Sequence, residues 1–235
     1  MGASKKKQMR YFDKNWADQI FSGAQAINAG IGAAWLLPLS ALAITGARPA
    51  ALERGIEFSV VEAEGQFFIQ ALIPGVKLRN DRGQPSHTIR WDLKKATTHR
   101  RKELREIARA LLKSELKQIV VQYDAEAIST RLRELSMKIW PRKKFHITAY
   151  CYRQLFCSAA KSAGADRNEI AMAMGHISAT SQGKYSRKAV TRSNSCPSTK
   201  PWATVASVLP IKPQRNSMAR FKVTSAIKRV SGKPS

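Results

Sequence analysis

The sequence predicts a mainly helical α+β fold that contains one small three-stranded antiparallel sheet. Apolar residues recur at helical spacing before residue 45 and again after residue 98. Between these regions, short runs of β-branched and aromatic residues alternate with turn residues. This change of period, from helix to strand and back to helix, defines the fold class, and no internal repeat interrupts it.

The N-terminal part of the chain is predicted to form a basic arm and three helices. Residues 1–15 have the composition of a flexible arm. Helices are expected near 16–28 and 33–44, joined by a segment that contains glycines. Pro49 follows a turn and suits the first position of a short helix, because its missing N–H would have no helical partner there.

Three strands are expected in the middle of the chain. The first two are separated by the turn residues Glu64 and Gly65, and the third follows a turn-rich segment at 80–85. The predicted ranges are 56–62, 66–73 and 87–93.

Four more helices are expected after the sheet. Ile107, Leu111 and Leu112 form the apolar face of the first. Pro141 stops the second, and Asp166 caps the last. The predicted ranges are 98–117, 124–140, 148–163 and 166–174.

Composition divides the chain into three parts. Residues 1–30 are assigned to the basic arm and first helix, 31–190 to the folded domain, and 191–235 to a basic C-terminal tail. The tail is rich in Ser, Thr, Pro and basic residues. Within it, the segment 204–209 has the composition of an additional strand.

The charge balance points to a polyanionic partner. The chain has 41 Lys and Arg against 16 Asp and Glu, a formal net charge of +25. A field of this sign attracts nucleic acid most commonly, and an anionic membrane surface is the alternative that composition leaves open.

Metal binding and export are not indicated. Cys151, Cys157 and Cys196 form no C-x-x-C pair, and the four histidines are scattered, so no metal site is predicted and the cysteines are expected to be reduced, as in a cytoplasmic protein. The most apolar run, 33–44, is short for a membrane span and suits a buried helix. We therefore expect no membrane partner.

Four short motifs follow one another in a defined order. Thr45-Gly46-Ala47-Arg48 forms a T-G-x-R turn, and Tyr150-Cys151-Tyr152-Arg153 is a Y-x-x-R sequence. Met174-Gly175-His176 and then Tyr185 follow. Arg153 precedes His176 by 176 − 153 = 23 positions, and His176 precedes Tyr185 by 185 − 176 = 9 positions.

In order and spacing these motifs resemble the catalytic domain of the tyrosine recombinases, the phage-type integrases, over about residues 33–188. The resemblance implies a site-specific recombinase that integrates or excises a mobile element through a 3′-phosphotyrosyl intermediate. It implies double-stranded DNA as partner, a synaptic tetramer on that DNA, a cytoplasmic, nucleoid-associated location, and neither a cofactor nor a metal.

The resemblance also assigns roles to five residues. Tyr185 would be the nucleophile, and Arg48 and Arg153 would bind the non-bridging phosphate oxygens. His176 would donate to the phosphate or take part in proton transfer. The family protonates the departing 5′-oxygen with a lysine of a β-hairpin, and Lys77 is the candidate, although Arg79 and Arg82 share its loop.

The sequence departs from the family pattern at three places. Ala50 and Ala51 stand where a glutamate usually follows the first arginine, and Gln154 stands where a histidine commonly follows the second. Tyr150 replaces the histidine of H-x-x-R, a variation that the family tolerates. Full-length members carry a separate helical DNA-clamping domain ahead of the catalytic one, and only about 30 residues precede the resemblance here. A minimal recombinase, a fragment, and a member whose basic arm and tail replace the clamp are the alternatives.

Three other functions stay open at this point. A type IB topoisomerase would use similar chemistry without synapsis. A catalytically weakened DNA-binding protein that keeps the fold would explain Ala51 and Gln154. A basic RNA- or ribosome-associated protein would explain the charge but not the ordered motifs.

Overall fold

The computed structural model describes residues 11–13, 15–28, 35–76, 78, 83–99, 101–184 and 200–212. Within these ranges the fold is α+β, as the sequence predicts. The strands are β1 (Ile56–Ala63), β2 (Gln66–Pro74), β3 (Ser86–Asp92), β4 (Gln118–Val121) and β5 (Thr204–Ser207). The helices are α1 (Trp16–Asn28), α2 (Leu36–Thr45), α3 (Pro49–Glu53), α4 (Leu93–Thr98), α5 (Lys102–Lys113), α6 (Ala125–Ile139), α7 (Ala149–Ser162) and α8 (Arg167–Ala173), and a 3₁₀ helix spans Ala179–Lys184.

Helix α2 lies at the centre of the helical part. It is apolar on all sides, and nine of its ten residues are buried, as expected for a helix surrounded by others. It packs against α1, α5 and α7. The apolar run predicted as a helix at 33–44 is thus a buried helix from Leu36 onward, and residues 33 and 34 lie outside the described residues. No helix in the described ranges is both long and apolar enough to cross a membrane.

The sheet covers one side of this helical core. Its strand order is β4-β1-β2-β3-β5, and every neighbouring pair is antiparallel. Alternate residues face inward: Phe58 on β1, Ile69 and Ile73 on β2, and Ile89 on β3 are buried. His87 occupies the next inward position of β3 and is only 5% exposed, so one polar side chain interrupts the apolar face.

The prediction of a three-stranded sheet is wrong, because the described residues form five strands. β5 is the additional strand that the composition of 204–209 indicates. β4 was missed: its Ile119, Val120 and Val121 are β-branched, and they pair with the free edge of β1. A short β-branched run of this kind forms a strand when a sheet edge is available to it.

The single helix predicted at 98–117 is also wrong. His99 has extended backbone angles and ends α4, and a second helix, α5, begins at Lys102. Ser114 is extended, and Lys117 has a positive φ of 51°. These breaks turn the chain twice, so that β4 reaches the edge of β1. In contrast, Asp166 caps α8 through a backbone N–H group, as the sequence predicts. Asp124 caps α6 in the same way, at the start of the helix expected from residue 124.

Part of the predicted C-terminal tail is folded onto the domain. Trp202 is 4% exposed and packs on Phe156 with ring centroids 5.5 Å apart. Trp91 donates from Nε1 to the Pro201 carbonyl at 2.6 Å. Residues 200–212 therefore belong to the packed structure, whereas 191–199 and 213–235 lie outside the described residues.

We expect Gly46→Ala to lower the free energy of unfolding by about 2–4 kcal/mol, because left-handed strain and overpacking add. Gly46 ends α2 with φ +60°, and a Cβ there would lie 2.6 Å from the Phe156 ring. Gly65→Ala is the matched control, since φ is +69° but nothing lies within 4 Å; its cost should be about 1 kcal/mol. Denaturant unfolding measures both, and equal losses would contradict the packing argument.

Candidate active site

A cleft lies where the turn after α2, the end of β2, β3 and the turn after α8 meet. Arg48 and Ala51 line it from the first turn, and Gly75 and Val76 from the end of β2. His87 on β3, Arg153 on α7, and Met174 and Gly175 after α8 complete its wall. Segments far apart in sequence thus meet around two arginines.

Arg153 is the most buried charged group of this cleft, with 1% exposure. Its Nη1 donates to the Gly46 carbonyl at 2.7 Å, and its Nη2 donates to the Met174 carbonyl at 2.6 Å. Nη2 also lies 3.0 Å from Nε2 of His176. A buried cation needs such partners, so Arg153 ties together the two turns that carry Arg48 and His176.

The contact between Arg153 and His176 sets the protonation of the histidine. A guanidinium has no acceptor, so Nε2 of His176 must accept this hydrogen bond. The ring is then neutral and carries its proton on Nδ1. In this arrangement Nδ1 is the atom from which His176 can donate a proton.

Arg48 stands at the beginning of α3 and is half-buried. Its backbone is extended, and the following Pro49 opens the helix, as the sequence predicts. Thr45 fixes the turn before it, because its Oγ1 donates to the Ala41 carbonyl at 2.6 Å and accepts from the Ala47 N–H at 3.1 Å. The T-G-x-R turn is therefore a rigid support for this guanidinium.

The turn that carries His176 requires a glycine. Gly175 has φ +62°, a conformation that L side chains rarely adopt. A Cβ there would lie 2.8 Å from Cε1 and 2.9 Å from Nδ1 of His87. The His87 ring therefore packs directly on the Gly175 backbone and occupies the space of a side chain.

His87 is a cleft residue that the sequence analysis did not assign. Burial, and then the positive charges of Arg153 and Arg48, lower the pKa of His87 to about 3, while the nearby Ala173 backbone acts in the opposite direction. The ring is therefore neutral at neutral pH. The sequence could have indicated an inward-facing histidine here. His87 lies two residues before Ile89 and four before Trp91, and alternate residues of a strand face the same side of the sheet.

Two of the five predicted site residues, Lys77 and Tyr185, lie outside the described residues, as do Arg79 and Arg82. The residue before Lys77, Val76, lines the cleft, and the 3₁₀ helix ends at Lys184, one residue before Tyr185. The structure brings together Arg48, Arg153 and His176. The roles of all five residues stay predictions.

The positions that depart from the family pattern differ in their surroundings. Ala51 is 1% exposed and lines the cleft beside Arg48. Gln154 is half-buried on α7, and Tyr150 on the same helix is 46% exposed. The described residues contain no group of three or more His, Cys, Asp or Glu side chains that could hold a metal ion.

Comparison with known proteins gives a distant likeness in structure. The chain is similar to a crystal structure of XerA recombinase, with 18% sequence identity and a TM-score of 0.47. The match covers 79% of this chain and 61% of that chain, less than two thirds of its length. No protein-family model and no curated protein matches the chain.

We expect acid to destabilise the protein in part through His87. The folded state keeps this ring neutral down to a pKa of about 3, whereas an unfolded histidine takes up a proton below about pH 6.5. Unfolding therefore binds a proton in this window, and the free energy of unfolding falls as the pH drops from 6.5 towards 3, by about 2 kcal/mol from this group at pH 5.

Denaturant unfolding of wild type and His87→Gln at pH 7.5 and pH 5 measures this contribution. The loss of stability between the two pH values should be smaller in His87→Gln. At pH 7.5 the ring is neutral in the folded state, so the difference in unfolding free energy between the two proteins at this pH gives the effect of the substitution itself. An equal loss in both proteins would show that His87 is not held neutral by the cleft.

Proposed function

We propose that this chain is a site-specific DNA recombinase that cleaves and rejoins DNA through a phosphotyrosyl intermediate at Tyr185. One observation carries the proposal: Arg48 and Arg153, 105 positions apart (153 − 48), line one cleft, and His176 contacts Arg153 there. These are three of the residues that the motif spacing selects. Packing alone gives no reason for two arginines to share a cleft and for one of them to contact this histidine.

The cleft suits a phosphodiester. Such a group carries negative non-bridging oxygens, and attack on phosphorus places more negative charge on them in the transition state. Guanidiniums stay charged at any relevant pH and bind such oxygens bidentately. Arg153 is held by backbone carbonyls, and Arg48 by a rigid turn. A site fixed before the substrate binds loses little energy to reorganisation.

The reaction needs one nucleophile and one proton donor. The Tyr185 phenol oxygen attacks phosphorus, the bond from phosphorus to the 5′-oxygen breaks, and Lys77 supplies the proton that this oxygen takes up. The 3′-phosphotyrosyl bond conserves the energy for rejoining by the reverse step. A free tyrosine has a pKa near 10, so the phenol proton must be accepted during attack. Neutral His176 has its one lone pair on Nε2, so it accepts this proton only when the hydrogen bond from Arg153 opens.

The proposal extends to partners and place of action. Double-stranded DNA is the substrate, and the excess of 41 basic over 16 acidic residues supports phosphate contacts. Strand exchange between two duplexes requires a synaptic assembly, which we propose to be a tetramer, for integration or excision of a mobile element. A cytoplasmic, nucleoid-associated location follows from that substrate.

A DNA-binding protein with weakened catalysis is the second candidate, and Ala51 favours it. Its side chain lies in the cleft beside Arg48, where a carboxylate would pair with the guanidinium and hold it in place. Both functions give salt-sensitive binding to duplex DNA, so binding does not separate them. Covalent attachment to DNA does.

We expect wild type to form an SDS-resistant adduct with a nicked or phosphorothiolate-bridged duplex that carries the candidate element end, and Tyr185→Phe to form none. The phenylalanine keeps the ring but lacks the oxygen that attacks phosphorus. Tyr11→Phe, at a tyrosine that is 59% exposed, is the matched control and should keep the adduct. DNA binding without an adduct in every protein would favour the second candidate.

Arg48→Ala should slow adduct formation about 10²–10³-fold at saturating DNA, the usual cost of one preorganised donor in the transition state. Arg133→Ala removes a positive charge from an exposed position on α6 and serves as the control for net charge. Its rate should stay within about twofold of wild type. Single-turnover kinetics give both rates, and equal slowing would mean that Arg48 acts only through long-range attraction of DNA.

A further inference from the structure

We infer that Gln84 is a positioning residue that couples the C-terminal segment (200–212) to the backbone of His176. This inference rests on the proposed function, in which His176 takes part in catalysis. Gln84 lies two residues before β3 and is 1% exposed. No motif in the sequence marks it.

The side-chain amide of Gln84 bonds to the C-terminal segment as a backbone peptide group would. Its Nε2 donates to the Leu209 carbonyl at 2.8 Å, and its Oε1 accepts from the Leu209 N–H at 2.7 Å. The donor and the acceptor of the Gln84 amide thus pair with the carbonyl and the N–H of the same residue, Leu209. A reciprocal pair of this kind fixes position and orientation together, so Leu209 holds the amide in one rotamer.

The same amide reaches the turn that carries His176. Nε2 donates a second hydrogen bond, to the His176 carbonyl at 3.3 Å, and the Gln84 backbone N–H donates to the Gly175 carbonyl at 3.2 Å. An amide nitrogen has two donors, and both are used. The carbonyls on either side of the His176 Cα are therefore held by one residue.

The C-terminal segment makes a further contact just beyond this turn. The Lys212 N–H donates to the Ile177 carbonyl at 2.6 Å, and Ser178 and Lys212 form a parallel bridge. At its other end the segment is fixed by β5, which pairs with β3 from His87 to Arg90. The turn therefore lies between Gln84 and the segment, and its position depends on both.

Gln84 also has a fixed place relative to the cleft. The Gly75 N–H donates to the Pro85 carbonyl at 2.7 Å, and a Cβ on Gly75 would lie 1.9 Å from the Gln84 carbonyl oxygen. Gly75 itself lines the cleft. The backbone of Gln84 is thus packed against Gly75 and bonded to Gly175, both of which line the cleft, while its side chain bonds to the His176 carbonyl.

Two variants separate the hydrogen bonds of Gln84 from its bulk. Gln84→Met keeps the length of the side chain and removes all three of its hydrogen bonds. Gln84→Glu keeps an acceptor for the Leu209 N–H but, when ionised, has no donor for the carbonyls of Leu209 and His176. Gln70→Met is the matched control, because Gln70 bonds to Arg90 across β2 and β3 at 2.8 Å and lies outside the cleft.

The first measurement is the single-turnover rate of adduct formation together with the DNA dissociation constant. We expect Gln84→Met and Gln84→Glu to lower the rate at saturating DNA about 10-fold or more while the dissociation constant changes less than twofold. Gln70→Met should match wild type in both. An unchanged rate in Gln84→Met, or a loss confined to DNA affinity, would overturn the positioning role.

The second measurement does not need catalysis. Amide hydrogen exchange should accelerate in Gln84→Met both in peptides that contain Leu209 and in peptides that contain 175–178, and in neither for Gln70→Met. Acceleration at Leu209 alone would overturn the coupling to His176. If wild type forms no adduct, the proposed function fails, but joint acceleration of both peptides would still support the coupling.

Discussion

The buried guanidinium of Arg153 is the interaction on which the candidate site depends. A cation removed from water is costly unless hydrogen-bond acceptors replace the water, and here the Gly46 and Met174 carbonyls and the His176 ring do so. These acceptors come from two turns that are far apart in sequence. Each turn has a glycine with positive φ, because a side chain there would meet Phe156 or His87. Helix packing, turn geometry and charge placement are thus parts of one arrangement.

The polar groups of the cleft have different roles. Arg153 holds two turns together and also contributes a positive charge, whereas Arg48 is half-buried on a rigid turn and contributes charge. Both histidines near the arginines are neutral, His176 because it accepts from Arg153 and His87 because burial and the arginines lower its pKa. The positive potential of the cleft therefore comes from the arginines. A phosphate that enters would meet two fixed cations beside neutral rings, and this charge favours the binding of an anion.

Much of the fold could be predicted because local signals were strong. Asp124, Asp166 and Pro49 mark helix starts, and the alternation of the first three strands marks one buried face. The strand β4 could not be predicted, since it depends on the edge of β1 lying nearby. The break at His99 carries no glycine or proline to mark it. At the site, spacing selected Arg48, Arg153 and His176. His87 and Gln84 belong to no motif, and their importance arises from contacts with Gly175 and His176 that only the folded chain creates.

Peptide mapping of the covalent complex tests the central claim most directly. Wild type would be trapped on a phosphorothiolate-bridged duplex, the DNA trimmed with nucleases, and the protein digested and sequenced by tandem mass spectrometry. The account predicts a nucleotide joined through phosphate to Tyr185, nine positions after the histidine that Arg153 holds. Attachment to a different tyrosine, or to a serine, would contradict the assignment of Tyr185 as the nucleophile that acts at this cleft.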